Sequence, residues 1–592
     1  MDLLKKNGVD NFLGGELRLS VNNLNVWTPE EKSWLRRVTK PRTMILKDVT
    51  VCIDKGEFIA ILGPSGAGKT TFLTSAAGKC RLPSTGSVAV NGTSVTALNG
   101  IAEIVPQFDV FMDGLTVAEH LVFMIEMKLG SYKTPSNILL LNTLLRELKL
   151  KAHAKTKISF LSGGQRRLLS LAGTLLSNPR IIICDEPTTG LDSYSAYLVI
   201  NILKQLTETG RIIICSVHQP SSDLFNQFNN IMLMAEGRLL FHGTQEECRK
   251  MFESIDLHCP INYNPAEFYI RAVSSQVETN HVGRILAKYQ DHFRRCDETV
   301  ETKAKFSVFQ RNWFVQVYLL IWRSSLSLKR TFGSHLMQLL FNIGISAMVI
   351  STCYIGITGT TQRGVQDLRG FLWLLSSEVC YSLSYTALYV FHEDLTLFRR
   401  EVGIYKGSAF FASTLLGFIP RCVVYPVAFM AIASVTVELP NRILTSLELV
   451  LSLICGGIAA AAYGLGMGAL FSSSGVMGDV MPCVDLPLSL MSGAFLRIAS
   501  LPAWLFPVKY ISHFYYTMES VSSIYWTQID HIDCPTNMTS SCVNDGVSVL
   551  IETGYSASYH LQDGVGLLAL TVGWSLVGYY GLRREEKKGY AY

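Results

Sequence analysis

The sequence predicts an α/β P-loop nucleotide-binding domain followed by an all-α polytopic membrane domain of about six transmembrane helices. Three observations carry that expectation. Through about Arg330, short β-rich apolar runs alternate with helical stretches, as in βαβ units. One of these runs, Phe58–Leu62, leads directly into a glycine-rich string ending in Lys69-Thr70. Beyond Arg330 the chain becomes a series of apolar stretches, each near the ~20 residues that a membrane-spanning helix needs.

Composition agrees with a division into two solvents. At 592 residues the chain is too long for one ordinary domain. Only 17% of residues are charged, against about a quarter in soluble globular proteins. Hydrophobic residues reach 48%, which excludes a disordered chain. A net charge of +5 is too small an excess to indicate nucleic acid as a partner. Met1–Ser20 contains Lys5, Lys6, Asp10, Glu16 and Arg18 and lacks the continuous apolar run of a signal peptide.

The first half holds the nucleotide motifs. Gly63-Pro64-Ser65-Gly66-Ala67-Gly68-Lys69-Thr70-Thr71 follows an apolar strand and precedes a helical stretch, the context a P-loop requires. Its glycines let backbone N–H groups curl around phosphate oxygens at a helix N-terminus. Lys69 is placed to reach the β and γ phosphates of ATP, and the Thr70 hydroxyl to ligate Mg²⁺. A second strand, Ile181–Cys184, ends in Asp185-Glu186. Asp185 is then aimed at the metal, while Glu186 can accept a proton from attacking water. An acidic pair can end any strand; beside a P-loop it reads as catalytic.

Val273–Phe306 is polar and reads as a linker. Trp313, Phe314, Val317, Tyr318 and Ile321 then recur at helical spacing, with Lys329 and Arg330 at the far end. That pattern suits an amphipathic helix at a membrane surface, or a helix packed on the soluble domain. The expected boundaries are 1–272 for the nucleotide-binding domain, 273–333 for the linker and amphipathic connecting helix, and 334–592 for the membrane domain.

Candidate spans are Ser334–Ile355, Phe371–Phe391, Ser413–Val437, Leu449–Phe471, Val480–Ile498 and Gly564–Leu582. Pro482 and Pro487 interrupt the fifth. Arg330, then Arg399, Arg400 and Lys406, and finally Arg583, Arg584, Lys587 and Lys588 flank the spans. By the positive-inside rule these segments are cytosolic, as an even number of spans requires. The long connection 499–563 is then external. It holds Cys534 and Cys542, with the sequon Asn537-Met-Thr539 between them. In an oxidising lumen the cysteines could pair and Asn537 could be glycosylated; unpaired or partner-linked thiols are the alternative. Glu378 and Asp485 lie within spans, where a charge costs roughly 2.5–3.5 kcal/mol. Each is therefore either interior and polar-paired or close to a headgroup.

Between the two phosphate-end strands lies Leu161-Ser162-Gly163-Gly164-Gln165. On this string the chain resembles the ATP-binding cassette family, whose signature is LSGGQ. Gln107 fits the family's Q-loop and a metal-contacting role, Gly190-Leu191-Asp192 its D-loop, and His218 its switch histidine. A nucleotide-binding domain placed before a single membrane domain is similar to the White-type (ABCG) half-transporters. His218-Gln-Pro220, Gly237-Arg-Leu-Leu-Phe-His-Gly243, Asn264-Pro-Ala-Glu-Phe268 and Phe398-Arg-Arg-Glu401 look like that subfamily's strings. The likeness covers nearly the whole chain. One departure is the signature, since many members read VSGGE. The adenine-stacking aromatic is open, with Trp27 in a plausible location.

The resemblance implies a dimer with a second half-transporter chain, identical or different, and two composite ATP sites. Ser162 and Gly164 would touch the γ-phosphate held by the partner's Lys69. Glu186, with His218 and Gln107, would drive hydrolysis. Gln107 would relay nucleotide state to the segment His392–Gly407 and the Phe309–Lys329 helix. The implied protein is an integral multi-pass membrane protein of the plasma membrane or an intracellular membrane, with its nucleotide-binding domain cytosolic. It would contact membrane lipid and export lipid, sterol-like or other small hydrophobic molecules. An ATP-switched regulatory or channel-like subunit is the alternative. A soluble kinase-like enzyme is excluded by the membrane half and the LSGGQ string.

Overall fold

Strands form in the first half where β-branched and apolar residues cluster. They include β1 (Arg18–Trp27), β2 (Met44–Asp54), β3 (Phe58–Leu62), β4 (Ser84–Val90), β5 (Thr93–Ser94), β6 (Ala102–Val105), β7 (Ile181–Cys184), β8 (Ile212–Ser216), β9 (Asn230–Ala235) and β10 (Arg238–Thr244). The computed structural model describes residues 17–32, 38–97, 100–274, 281–289, 311–471, 474–534, 542–558 and 560–588. The chain divides into two units, the second running from Asn312 to Lys587.

In the first unit a six-stranded sheet has the order β10-β9-β3-β8-β7-β6, parallel except for the edge strand β10. Every residue of β3, β7 and β8 is buried. Such unbroken apolar strands are what a parallel sheet covered on both faces requires. An antiparallel sheet of order β2-β1-β4-β5 supplies a second layer. One core joins Leu19 and Val21 of β1 to Ile59 and Ile61, to Ile181 and Ile183, and to Phe72 and Leu73 of helix α1 (Lys69–Ala76). Each such side chain contributes roughly 1.5–3 kcal/mol on burial.

Other helices of this unit include α2 (Val117–Lys128), α3 (Pro135–Glu147), α4 (Gly163–Leu175), α5 (Ser193–Thr207), α6 (Gln245–Glu253) and α7 (Pro265–Ala272). Several start on side-chain caps that the sequence spells out. Thr116 with Glu119 and Thr244 with Glu247 form capping boxes. At the end of the unit, Arg311 Nε donates to the Glu126 carbonyl (2.9 Å) and Nη2 to its carboxylate (2.8 Å).

The second unit is helical: α8 (Trp313–Cys353), α9 (Gln362–Arg400), α10 (Gly407–Thr436), α11 (Arg442–Leu470), α12 (Ser474–Leu490), α13 (His513–Trp526), α14 (Gly546–Thr553) and α15 (His560–Lys588). Among the described residues, three helices are long and apolar enough to cross a membrane: Gly407–Thr436, Arg442–Leu470 and Leu561–Lys587. Large apolar side chains such as Val424, Val427, Leu447, Leu451, Leu568 and Leu576 stand exposed on them, a surface suited to lipid rather than water. α8 has 41 residues, about 60 Å at 1.5 Å per residue. It therefore fuses the expected amphipathic segment and the first span into one helix. Helices α9 and α11 approach closely because Gly464 has no Cβ; one added there would lie 2.1 Å from the Ser384 carbonyl oxygen.

The connection expected between the last two spans is itself structured. α13 has 14 residues, 12 of them buried, and is too short to span a bilayer. Its Thr517 meets Cys380 of α9. Cys534 and Cys542 are joined by a disulfide with their Cα atoms 6.2 Å apart. Asn537 lies outside the described residues. The two acids expected within spans both have phenolic partners. Tyr425 donates to Glu378 (3.0 Å), and Tyr463 donates to Asp485 (2.6 Å).

Polar contacts tie the start of α8 to the segment between α9 and α10. Trp313 Nε1 donates to Ser408 Oγ (3.1 Å), and the Lys406 amide donates to Gln316 Oε1 (2.9 Å). Arg323 Nη1 donates to both oxygens of the buried Glu401 carboxylate (2.8 and 2.7 Å), which also accepts from the Tyr405 hydroxyl (2.6 Å). Removing one member of a buried ion pair strands the other and costs about 3–5 kcal/mol. Arg323→Ala is therefore expected to lower the thermal stability of the purified protein by that order. Arg323→Met combined with Glu401→Met should recover most of the loss. Equal melting of Arg323→Ala and wild type would contradict the assignment.

Candidate nucleotide-binding site

Strand register assembles the site. Ile61 pairs with Ser216, Cys215 with Cys184, and Cys184 with Val105. The carboxyl ends of β3, β8, β7 and β6 therefore stand side by side. Four loops leave from these ends, carrying the P-loop, His218, Asp185-Glu186 and Gln107. Ligand sites of open α/β sheets form outside the carboxyl ends of such strands.

The P-loop needs its glycines here for two physical reasons. A Cβ on Gly63 would lie 2.1 Å from the Met234 carbonyl oxygen. Gly68, the residue before α1, has φ +93°, in the left-handed region. No side chain caps α1, which leaves its N-terminus available to an anion. Pro64, Ser65, Gly66 and Ala67 complete the turn, closed by an Ala67 N–H bond to the Pro64 carbonyl (3.2 Å). Thr71 sits one residue into α1 beyond Thr70, and its carbonyl accepts from the Ser75 hydroxyl (2.7 Å). Lys69 is buried, and its ammonium donates to the Gly63 and Pro64 carbonyls (2.7 and 2.9 Å). Burial lowers its pKa from the ordinary lysine value, against the pull of the Glu186 and Asp185 charges.

Asp185 is 2% exposed. Its Oδ1 accepts from Ser216 Oγ, while Oδ2 is buried without a hydrogen-bond partner. Burial raises its pKa above the usual carboxylate range, opposed by the hydrogen bond from Ser216. A buried carboxylate oxygen without a partner, next to the Thr70 hydroxyl, is a donor set that fits Mg²⁺.

Glu186 is held on three sides. Gln107 Nε2 donates to its Oε2 (2.8 Å), Thr189 Oγ1 donates to the same oxygen (3.0 Å), and the Glu186 amide donates to Ser216 Oγ (2.8 Å). Its φ of +46° is unusual for a side-chain-bearing residue, as is that of Gln219 beside His218. Such strain costs of order 1–3 kcal/mol and persists where the surroundings impose it. His218 is exposed, two residues past the end of β8. The Gln107 amide is turned onto Glu186 in this arrangement.

The signature forms a separate cluster. Ser162 Oγ accepts from the Gln165 amide (3.3 Å), and Gln165 Oε1 accepts from the Ser162 amide (3.0 Å). This is a capping box at the start of α4. Ser162 and Gly163 are exposed, leaving the helix N-terminus open. A Cβ on Gly164 would meet Ser195 Oγ at 2.7 Å, so the glycine lets α4 abut α5, which Asp192 caps through Ser195 N (3.0 Å). The contacts of these residues thus run to α5, and to His153 through Gln165 (3.1 Å), rather than to Lys69. Trp27 lies under the Arg42 guanidinium, 4.5 Å from its ring centroid. Ser216 and Thr189 are site residues that the motifs did not flag.

Comparison with known proteins finds similarity along most of the chain. A family model described as ABC transporter matches residues 46–189, and two described as ABC-2 type transporter match 315–526 and 218–289. Protein brown of Drosophila melanogaster is 30% identical, covering 98% of both chains. Protein white of the same organism is 30% identical over 93% of this chain and 85% of that protein. The broad substrate specificity ATP-binding cassette transporter ABCG2 of Rattus norvegicus is 28% identical over 93% of this chain and 89% of its own.

Partners that orient a metal ligand typically contribute 10–100-fold to affinity. Ser216→Ala is therefore expected to weaken apparent Mg²⁺ affinity by ~10–100-fold in a Mg²⁺ titration of ATPase activity. Because the Asp185 carboxyl is raised, protons compete with the metal as pH falls. Apparent Mg²⁺ affinity should decrease toward acid, and Ser216→Ala, which removes a bond that favours the carboxylate, should move that decline to higher pH. An unchanged Mg²⁺ titration would contradict this arrangement.

Proposed function

Because this chain belongs to the White-type (ABCG) transporters of the ATP-binding cassette family, we propose that it acts as one half of a dimer with two composite ATP sites, exporting lipid, sterol-like or other small hydrophobic molecules. Proteins of this family hydrolyse ATP to drive transport, with a cytosolic nucleotide-binding domain and a multi-pass membrane domain. The observation that carries the hydrolytic reading is the Glu186 carboxylate, held by Gln107 and Thr189 one residue from Asp185.

In this reading Lys69 exchanges the Gly63 and Pro64 carbonyls for the β and γ phosphate oxygens of ATP. Thr70, Asp185 and Gln107 would hold Mg²⁺, which would supply positive charge to offset the negative charge that develops during phosphoryl transfer. Glu186 accepts the proton of the attacking water, and His218 approaches from the neighbouring strand end. Ser162, Gly163 and Gly164 present an uncovered helix N-terminus to the partner chain's nucleotide, with Gln165 fixing the cap. ATP then favours the closed dimer, and hydrolysis removes the differential binding that held it. The apolar faces of the membrane helices support a hydrophobic cargo.

Reconstitution in lipid vesicles tests the proposal. A general base contributes about 10²–10⁴-fold to rate, so Glu186→Gln should lower ATPase by that factor and abolish ATP-dependent movement of an apolar cargo. Movement that persists in Glu186→Gln would contradict the mechanism. ATPase without movement of any apolar cargo would favour a regulatory subunit. Co-purification of differently tagged copies establishes whether the second chain is another copy or a different protein.

A further inference from the structure

Arg167 lies on α4, five residues beyond the signature serine, and is almost wholly buried. Its guanidinium does not reach solvent or the phosphate-facing surface. Nη1 donates to the Pro106 carbonyl (2.5 Å) and to Asp109 Oδ1 (3.3 Å), while Nη2 donates to the Gln107 carbonyl (2.5 Å). Two arms of one planar group therefore grip the carbonyls of consecutive peptides. That grip fixes the peptide planes on both sides of the Gln107 Cα and, with them, the direction in which its side chain leaves the backbone. The Gln107 amide at the end of that side chain is the group that holds Glu186 Oε2 at 2.8 Å.

We propose that Arg167 is a positioning residue for hydrolysis, orienting Gln107 and through it Glu186 from the signature helix. This rests on Glu186 as the base that accepts the water proton. The geometry suits arginine specifically. A lysine ammonium can reach two successive carbonyls, as Lys69 does, but its flexible stem lacks the planar fork that fixes their relative orientation. The link also has a direction. α4 begins with the residues that face the partner chain's nucleotide in the proposed dimer, and Arg167 fastens that helix to the loop serving this chain's own nucleotide.

The test uses the full-length protein in lipid nanodiscs and a mutant cycle with Gln107. A misplacement of about 1 Å at a reacting centre can cost as much as 10²-fold, so Arg167→Ala should lower kcat roughly 10- to 100-fold. The KM for ATP should change less than kcat, because Lys69 and the P-loop are untouched. Arg167→Lys should fall between Arg167→Ala and wild type. If Arg167 acts through Gln107, adding Arg167→Ala to Gln107→Ala should change kcat no further, since the side chain being positioned is already gone. A general packing defect would instead multiply the two losses. Should Arg167→Ala fail to accumulate, Arg167→Lys and Arg167→Lys/Gln107→Ala give the same cycle. Either a wild-type kcat in the single variant or multiplicative losses in the double variant overturns the proposal. Glu186→Gln with undiminished kcat would instead overturn the base assignment on which it rests.

Discussion

The first unit depends on the register of four parallel strands. Ile61 pairs with Ser216, Cys215 with Cys184 and Cys184 with Val105, and the P-loop, His218, Asp185-Glu186 and Gln107 all leave the sheet within a few residues of that line. A slip of one residue in any pair would turn an unbroken apolar strand over and carry Asp185 or Ser216 to the opposite face. The register is enforced by the wholly buried Phe58–Leu62, Ile181–Cys184 and Ile212–Ser216. The hydrophobic core thus determines the position of a polar site. Ser216 expresses this economy: one hydroxyl, on a strand adjacent to Asp185, serves both Asp185 and the Glu186 amide.

Two kinds of polar element recur around the site. Caps open helices without covering them, as at Ser162 and Asp192, so each helix N-terminus remains available at the surface. Buried links instead fasten one loop to another. In the second unit the same logic joins α8 to the segment that precedes α10, through Trp313, Gln316 and the Arg323–Glu401–Tyr405 cluster. The sequence reading expected these two segments to receive the nucleotide signal, and within the second unit they are bonded into one piece.

The sequence made legible whatever is contiguous along the chain. The P-loop, Asp185-Glu186 and LSGGQ each occupy one short stretch attached to a recognisable strand or helix, so residue type and spacing sufficed. The partners of those residues were not legible because they come from distant stretches. Ser216 meets Asp185 across 31 residues, and Arg167 meets Gln107 across 60. Thr189, only three residues from Glu186, was missed because a threonine in a loop carries no distinctive pattern. In the membrane half, hydropathy located the apolar runs but could not show that α8 continues through Lys329 and Arg330 without a break. Nor could it find α13. His513, Glu519, Ser520, Ser522 and Ser523 depress its hydropathy, yet tertiary packing buries them all.

The central claim is that ATP is held between two chains, with the P-loop from one and the signature from the other. Nucleotide retention measures this most directly. Glu186→Gln protein is loaded with ATP and Mg²⁺ and separated by size, and the nucleotide in each fraction is counted. Two ATP molecules retained per two-chain complex, with none on dissociated single chains, is the predicted result. Stable retention of ATP by single chains, as great as by the complex, would contradict the account.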